Sequence, residues 1–388
     1  MRHGLPASAA MKILITDIHH GNGGGHVTYV LSLLNGLKSH CDLTLAAPQT
    51  GRLYKNAALL NGVRVLPGLY TSRPVSLMTE VMRLRRFLIR ERFDLIHVNG
   101  SADHRHVMLA RLGLRHRPAI VWTKHNTTRV DSLGHRLRAR FGTDATIAVS
   151  DHVGRILAST AYGRRPVHVI RNGIDTNLLR PVDAAEKAAC RYRFFGELDE
   201  SAVVLGSTGG TDYNKGWLDL IKAVSHLEPA LRQRIRVVVA GDMPSATMLA
   251  QVQACQLQNQ VVFPGLVSDI RSVFAACDIG FVLSYREAAS YAAGEAMAMG
   301  LPALVSDAGG LPENVRDNLD GWIVPAGKVN ALAHRLRCIL HDTKGFASIG
   351  HSARTRAEGL FAHADFLRHT LAVYGQARLL AQTGLAPI

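Results

Sequence analysis

No stretch of this chain stays apolar for the roughly 18 residues that a bilayer-spanning helix requires. Cysteine is sparse. Cys41, Cys190, Cys255, Cys277 and Cys338 are scattered without a C-x-x-C pair, which argues against a disulfide framework or a thiolate zinc site and fits a reduced, cytosolic protein. Residues 1–10 have a positive charge and an alanine pair but no apolar core, so a secretory signal is not expected there. No repeat shorter than a domain is evident. Acidic residues are scarce in one half only. From Met1 to Arg180 there are 26 Lys and Arg against 10 Asp and Glu, a net charge of +16, while the remainder nets −1. A basic half joined to a neutral half predicts that one domain meets an anionic partner, with anionic phospholipid, a phosphorylated glycolipid acceptor or nucleic acid as the candidates.

What is present describes a globular enzyme-sized protein. The 388 residues, 47% hydrophobic and 19% charged, suffice for two domains. In the first half, β-branched runs at Met11–Asp17, Asp42–Ala47, Val63–Leu66, Asp94–Val98, Ala119–Thr123 and Thr146–Val149 alternate with helical patterns. Leu77, Met78, Val81, Leu84 and Leu88 form one face of a helix on which Arg83, Arg86 and Arg90 lie elsewhere. A second series of strands starts near Ala202 and runs to Trp322–Val324. Strands alternating with helices predict an α/β fold of two Rossmann-like parallel-sheet domains facing a central cleft. The stretch from Asn172 to about Asp199 reads as a linker with a short helix, and Ala353 to Leu380 as a final helical stretch.

The segment Arg286 to Pro302 is the most informative. It follows the apolar run Asp278–Ser284, a buried strand, and is stopped by Gly300 and Pro302. Strand, loop and helix in that order put a helix N-terminus near Ser290 and Tyr291 at the carboxyl edge of a sheet, where backbone N–H groups suit an anion. Glu287 precedes that turn and Glu295 lies about one turn inside the helix. Two carboxylates flanking an anion site match a sugar, a diphosphate and a ribose in a row. Two further loops follow strands. Gly21-Asn22-Gly23-Gly24-Gly25-His26 is glycine-rich but lacks the G-x-G-x-x-G spacing and the acidic residue of a dinucleotide site. Gly209 to Gly216 carries Lys215. Of the 19 histidines, His19, His20, His97, His104 and His106 lack a helical ligand pair such as H-E-x-x-H, so no metal site is expected.

The Glu287–Pro302 segment resembles the E-G-F-G-x-x-x-x-E-A-M-A-x-G-x-P signature of retaining family-4 glycosyltransferases with the GT-B fold, and Ala148-Val149-Ser150, Ile170-Arg171-Asn172-Gly173-Ile174-Asp175 and Lys215-Gly216 resemble that family's other elements in the expected order. The resemblance implies a retaining transferase that moves a sugar from a nucleotide diphosphate, UDP by default, to a glycan or lipid-linked acceptor in cell-surface polysaccharide or lipopolysaccharide synthesis. It implies that Glu287 meets the donor sugar, Glu295 the ribose, Lys215 the diphosphate and His125 the reacting sugar. Gly24, Gly25, Ala289, Ser290 and Tyr291 would line the donor, with no metal and no cofactor. It also implies an acceptor domain over residues 11–180, a donor domain over 195–360, and a last helix, about 365–388, returning to the first. The chain departs in having Ala288-Ala289-Ser290 for Gly-Phe-Gly, and Gly210 where the family has arginine; Arg271 and Arg286 are the candidate substitutes. A cytoplasmic enzyme docked on the inner membrane is the expected setting. A nucleotide-sugar epimerase or phosphorylase, and a noncatalytic basic polyanion-binding protein, remain as alternatives.

Overall fold

The computed structural model describes residues 10–22 and 24–383; expectations for residues 1–9, Gly23 and 384–388 lie outside the described residues. The chain forms two compact units, one taking in the chain up to Ile170 and again from Phe366, the other spanning Arg171–Asp365.

The first unit is built on β1 (Met11–Thr16), β2 (Cys41–Ala47), β3 (Val63–Pro67), β4 (Leu95–Val98), β5 (Ala119–Lys124), β6 (Ala145–Ala148) and β7 (Val167–Val169). All pair in parallel in the order β3-β2-β1-β4-β5-β6-β7. Ile13, Leu14 and Ile15 are fully buried, as expected for a central strand covered on both faces. The short edge strand β7 was not anticipated, because Val167–Val169 is only three residues long, with two half-buried and Val169 exposed, and has no alternation to detect.

The second unit carries β8 (Val203–Ser207), β9 (Ile235–Val239), β10 (Val261–Val262), β11 (Ile279–Val282), β12 (Ala303–Ser306) and β13 (Gly321–Val324) in the parallel order β10-β9-β8-β11-β12-β13. One core cluster gathers Trp217, Leu220, Ile221 and Leu336 against Val203, Leu205 and Phe281; a second gathers Ala293, Ala296, Met297 and Phe274 against Val204 and Val282. The second is lined with small residues, so the helix Tyr291–Ala298 lies very close to its strand. A Cβ on Gly280 would come 2.2 Å from the Ala296 Cβ.

Two sequence expectations need correction. Residues 172–199 hold the expected short helix but are not a separate linker. They belong to the second unit, where the helix Ala184–Phe195 is pinned by Lys187 Nζ to Asp278 at 2.8 Å, by Arg191 to the same carboxylate, and by Arg271 to Glu186. A helix without a buried residue of its own gives no apolar period, and charge pairs hold it instead. The helical end of the chain is two helices, Phe346–Leu360 and His363–Thr383. The break falls at Phe361 and Ala362, where Phe361 O accepts from Ile174 N at 2.7 Å.

From Phe366 the last helix is part of the first unit. Phe366 meets Tyr29 edge-on at 5.2 Å, and Leu367 fills the space that a side chain at Gly36 would need. Tyr374 is fully buried with its hydroxyl 2.5 Å from His97 Nδ1, while His97 Nε2 lies 2.6 Å from Thr123 Oγ1. Burial pushes the His97 imidazole down to about 3, so it is neutral, with one nitrogen donating and the other accepting. Tyr374→Phe leaves one buried ring nitrogen without its partner. A loss of about 1–3 kcal/mol from the first unit is expected, measured by urea denaturation followed through a probe in that unit.

Candidate active site

Parallel strands bring all their carboxyl ends to one edge, and the strand order reverses between β1 and β4 in the first unit and between β8 and β11 in the second. Connections leave in opposite directions at such a point and open a crevice there. The predicted residues fall at these two places.

In the second unit, β8 runs into Thr208, the glycines and Lys215, and β11 runs into Ser284 and Glu287. Gly216 takes a left-handed backbone (φ 68°), and a Cβ there would sit 1.9 Å from Leu283 O, so only glycine lets the two loops approach this closely. The approach puts Lys215 Nζ 2.9 Å from Glu287 Oε2, which also accepts from Ser284 Oγ at 3.1 Å. The loop after β12 fixes the Glu287 backbone, since Gly310 N donates to Glu287 O at 3.0 Å. Gly309, with φ 59°, has no room for a side chain against that same carbonyl. Ser290 caps the following helix by accepting from Ala293 N at 3.3 Å, Ala288 is buried, and Ala289 and Tyr291 are half-buried.

Glu295 is the fifth residue of that helix and is buried. Its Oε2 accepts from Thr208 Oγ1 at 3.1 Å. Burial lifts its pKa to about 7, with the Thr208 hydroxyl opposing. A carboxylate held in this way gains from hydroxyl donors. Thr208 and Ser284 were missed from sequence; their position just past the ends of β8 and β11 is the signal that would have found them. Gly210 adopts φ 91°, which arginine rarely takes. Of its two candidate substitutes, Arg271 is committed to Glu186 and Arg286 is exposed.

In the first unit the glycine-rich loop leads from β1 into the helix Gly25–Leu37, with Gly24 at φ 108° and its carbonyl accepting from Val27 N. His125, just past β5, offers Nε2 to Asn99 Oδ1 at 2.9 Å and packs against Tyr29 and His26, with ring centroids 4.6 and 4.2 Å away. Burial holds its pKa well below the ordinary histidine value. Sequence reasoning did not single out Asp17, which ends β1 fully buried. Its Oδ1 accepts from His19 N at 2.8 Å and lies 2.7 Å from His19 Nδ1; its Oδ2 lies 3.8 Å from His26 Nδ1. Burial would raise the Asp17 carboxyl, but the His19 hydrogen bond and the neighbouring His26 outweigh it and hold the group well below the carboxylate range. The Asp17 hydrogen bond raises His19 in turn. These side chains share an edge that a reading of the first strand-loop as glycine-rich alone overlooked.

Comparison with known proteins accords with this geometry. The family model for glycosyl transferases group 1 matches residues 191–356, and that for Glycosyltransferase Family 4 matches residues 23–178. A D-inositol 3-phosphate glycosyltransferase of Kribbella flavida is 27% identical, over 92% of this chain and 92% of its own. Among solved structures, Anabaena Alr3699/HepE in complex with UDP-glucose aligns with a TM-score of 0.78 at 22% identity, covering 94% of this chain and 99% of that one. WaaG, a glycosyltransferase involved in lipopolysaccharide biosynthesis, aligns with a TM-score of 0.73 at 14% identity, covering 93% of this chain and 99% of that one. The fold is GT-B, and the chain is a glycosyltransferase of that type.

The buried Glu295 gives a pH signature. In the unfolded chain its carboxyl ionises near pH 4.5, in the folded chain near 7, so native stability falls as pH rises through that window. Glu295→Gln removes the effect. At pH 8 it is expected to stabilise the second unit by about 3 kcal/mol, and below pH 4.5 to change little, read from denaturation midpoints across pH.

Proposed function

We propose that this protein is a retaining glycosyltransferase that carries a sugar from a UDP-sugar to a glycan or lipid-linked acceptor in the assembly of cell-surface polysaccharide or lipopolysaccharide. The observation that carries the reading is the Lys215–Glu287 pair at the reversal point of the second sheet, beside the capped N-terminus of Tyr291–Ala298 and the buried Glu295. The UDP-glucose bound to HepE supports the choice of donor, and the pathway of WaaG supports the acceptor class.

Each group then has a task. The diphosphate rests against Lys215 and the helix N-terminus, which stabilise the charge that grows on it as the glycosidic bond breaks. The ribose hydroxyls donate to Glu295. Because they favour its charged form, donor binding releases a proton below about pH 7 and weakens in acid. Glu287 is already engaged by Lys215 and Ser284, which suits a carboxylate that orients sugar hydroxyls rather than one that attacks carbon. His125, neutral and anchored by Asn99 in the first unit, is the residue to which the family resemblance gives a contact with the reacting sugar. Retention then follows from attack on the face the diphosphate leaves, with the departing phosphate taking the acceptor proton.

Lys215 cannot serve Glu287 and a diphosphate equally, so the two substitutions should part. Lys215→Met is expected to lower kcat/KM by about 2–4 kcal/mol in transition-state terms and to weaken UDP binding. Glu287→Gln should lower kcat while UDP binds as well or better, because the lysine is released. Steady-state kinetics and UDP titration decide it, and wild-type behaviour in both variants would remove the donor reading.

The setting is the cytoplasmic face of the inner membrane. In the helix Pro74–Glu91, Val81 and Leu88 are buried against the first unit, but Met78, read from sequence on the same helix face as these two, is 61% exposed. It lies on an outward stripe with Val75 (83%), Met82 (42%) and Ile89 (57%), beside exposed Arg83, Arg86 and Arg90. An apolar stripe edged with arginine fits anionic lipid, where each basic side chain contributes about 1 kcal/mol. The chain is expected to cosediment with anionic vesicles and not neutral ones, to be released by salt, and to lose the attachment on replacing the three arginines with glutamine while retaining UDP. Equal binding to both vesicle types, or to neither, would point to a water-soluble acceptor.

A further inference from the structure

The cluster at the end of β1 contains two buried polar atoms that the proposed transfer does not use. Asp17 is fully buried, yet Oδ2 has no hydrogen-bond partner among the described residues. His26 Nδ1, equally buried and equally without a partner among them, faces it at 3.8 Å, beyond hydrogen-bonding reach. Leaving both atoms unpaired is costly for a native fold. His19 Nδ1 stands on the other oxygen of the same carboxylate. One ligand atom from each of Asp17, His19 and His26 lies within 4.8 Å of the others, the only such trio of histidine, cysteine or carboxylate groups among the described residues.

We propose that Asp17, His19 and His26 form a three-ligand site for a divalent transition-metal ion of the zinc type. Two imidazole nitrogens and a carboxylate oxygen are the donors that zinc takes, at roughly 2.0–2.2 Å, which separates ligand atoms by roughly 3.3–3.5 Å in a tetrahedral shell. The 3.8 Å between Asp17 Oδ2 and His26 Nδ1 is close to that spacing, and small side-chain rotations bring the third ligand to it. The site has an entrance, since the His19 and His26 side chains are 34% and 21% exposed. The fourth position stays open to water or to a phosphate or hydroxyl oxygen. The D-x-H-x6-H spacing matches no helical ligand pair, because His19 lies in a loop and His26 opens the helix that follows. Asp17, His19 and His26 belong to the first unit, and Lys215 to the second.

Imidazole and carboxylate ligands bind metal only when deprotonated, so binding strengthens with pH and releases protons. The experiment uses the full chain, stripped with a chelator and titrated with Zn2+ by calorimetry in two buffers of different ionisation enthalpy, with no nucleotide or acceptor present. Co2+ then reports the ligand shell through its visible absorption. One equivalent of Zn2+, proton release and a raised melting temperature are expected, with Mg2+ doing none of these. His26→Ala should weaken Zn2+ at least tenfold and alter the Co2+ bands. Asp17→Asn should do the same, with circular dichroism confirming that each variant is folded. His20→Ala, on an exposed side chain bonded to Thr50, is the control and should bind as the parent does. Absence of binding, equal binding of Mg2+, or Zn2+ binding untouched by His26→Ala in a folded protein would overturn the proposal. The last result would assign the ion to other surface histidines.

Discussion

Parallel β-structure imposes the constraint on which everything else in this protein depends. Each strand must return to the same starting edge through a crossover, so all the carboxyl ends, and all the loops that follow them, collect on the other edge. Where strand order reverses, at β1/β4 and β8/β11, neighbouring loops diverge and leave side chains beside one another with no backbone between them. Lys215 and Glu287 are 72 residues apart in sequence and 2.9 Å apart in space for this reason. Asp17, Asn99 and His125 mark the corresponding edge of the first unit, after β1, β4 and β5.

The close approaches at these edges rest on glycine. At Gly216 and Gly309 a left-handed backbone and a nearby carbonyl together exclude any side chain. At Gly280 the backbone is ordinary and the limit is spatial, because the Tyr291–Ala298 helix lies against the strand with only alanine between them. The three positions form a chain of support. Gly280 seats the helix that carries Glu295, Gly309 and Gly310 hold the backbone of Glu287, and Gly216 brings in the lysine that pairs with it. A carboxylate positioned by rigid neighbours keeps its orientation without a ligand, which reduces the ordering required when one binds.

Three buried carboxylates show how the surroundings decide the charge. Glu295 has one hydroxyl for company and burial keeps it near neutral pH. Asp103 caps a helix by accepting from Asn99 N, Gly100 N and Thr16 Oγ1, yet its deeper burial and the nearby Asp17 still lift it to about 6. Asp17, equally buried, has two imidazoles beside it and stays ionised. The first awaits hydroxyl donors, the second is structural, and the third carries a fixed negative charge into the edge where the first unit's ligands would lie.

Most of the architecture was legible in the sequence. Strand positions followed from β-branched runs and agree with the structure to within a residue or two, because buried parallel strands leave a strong local pattern. The Glu287–Glu295 spacing and the glycine stop were visible because they sit at fixed distances along one segment, and Lys215-Gly216 was visible through the family resemblance. What escaped were features whose cause is remote. The short helix Ala184–Phe195 was expected, but its ties to the second unit through Asp278 and Arg271 leave no apolar period and were not visible. The break at Phe361–Ala362 follows from a hydrogen bond to Ile174. The exposure of Met78 depends on which part of the helix surface the sheet covers. The meeting of Asp17, His19 and His26 depends on a loop folding back on its own strand. Local periodicity and backbone preference determined the elements and their order; the tertiary structure alone decided which side chains from separate elements face one another, because that is set by packing distance and not by spacing along the chain.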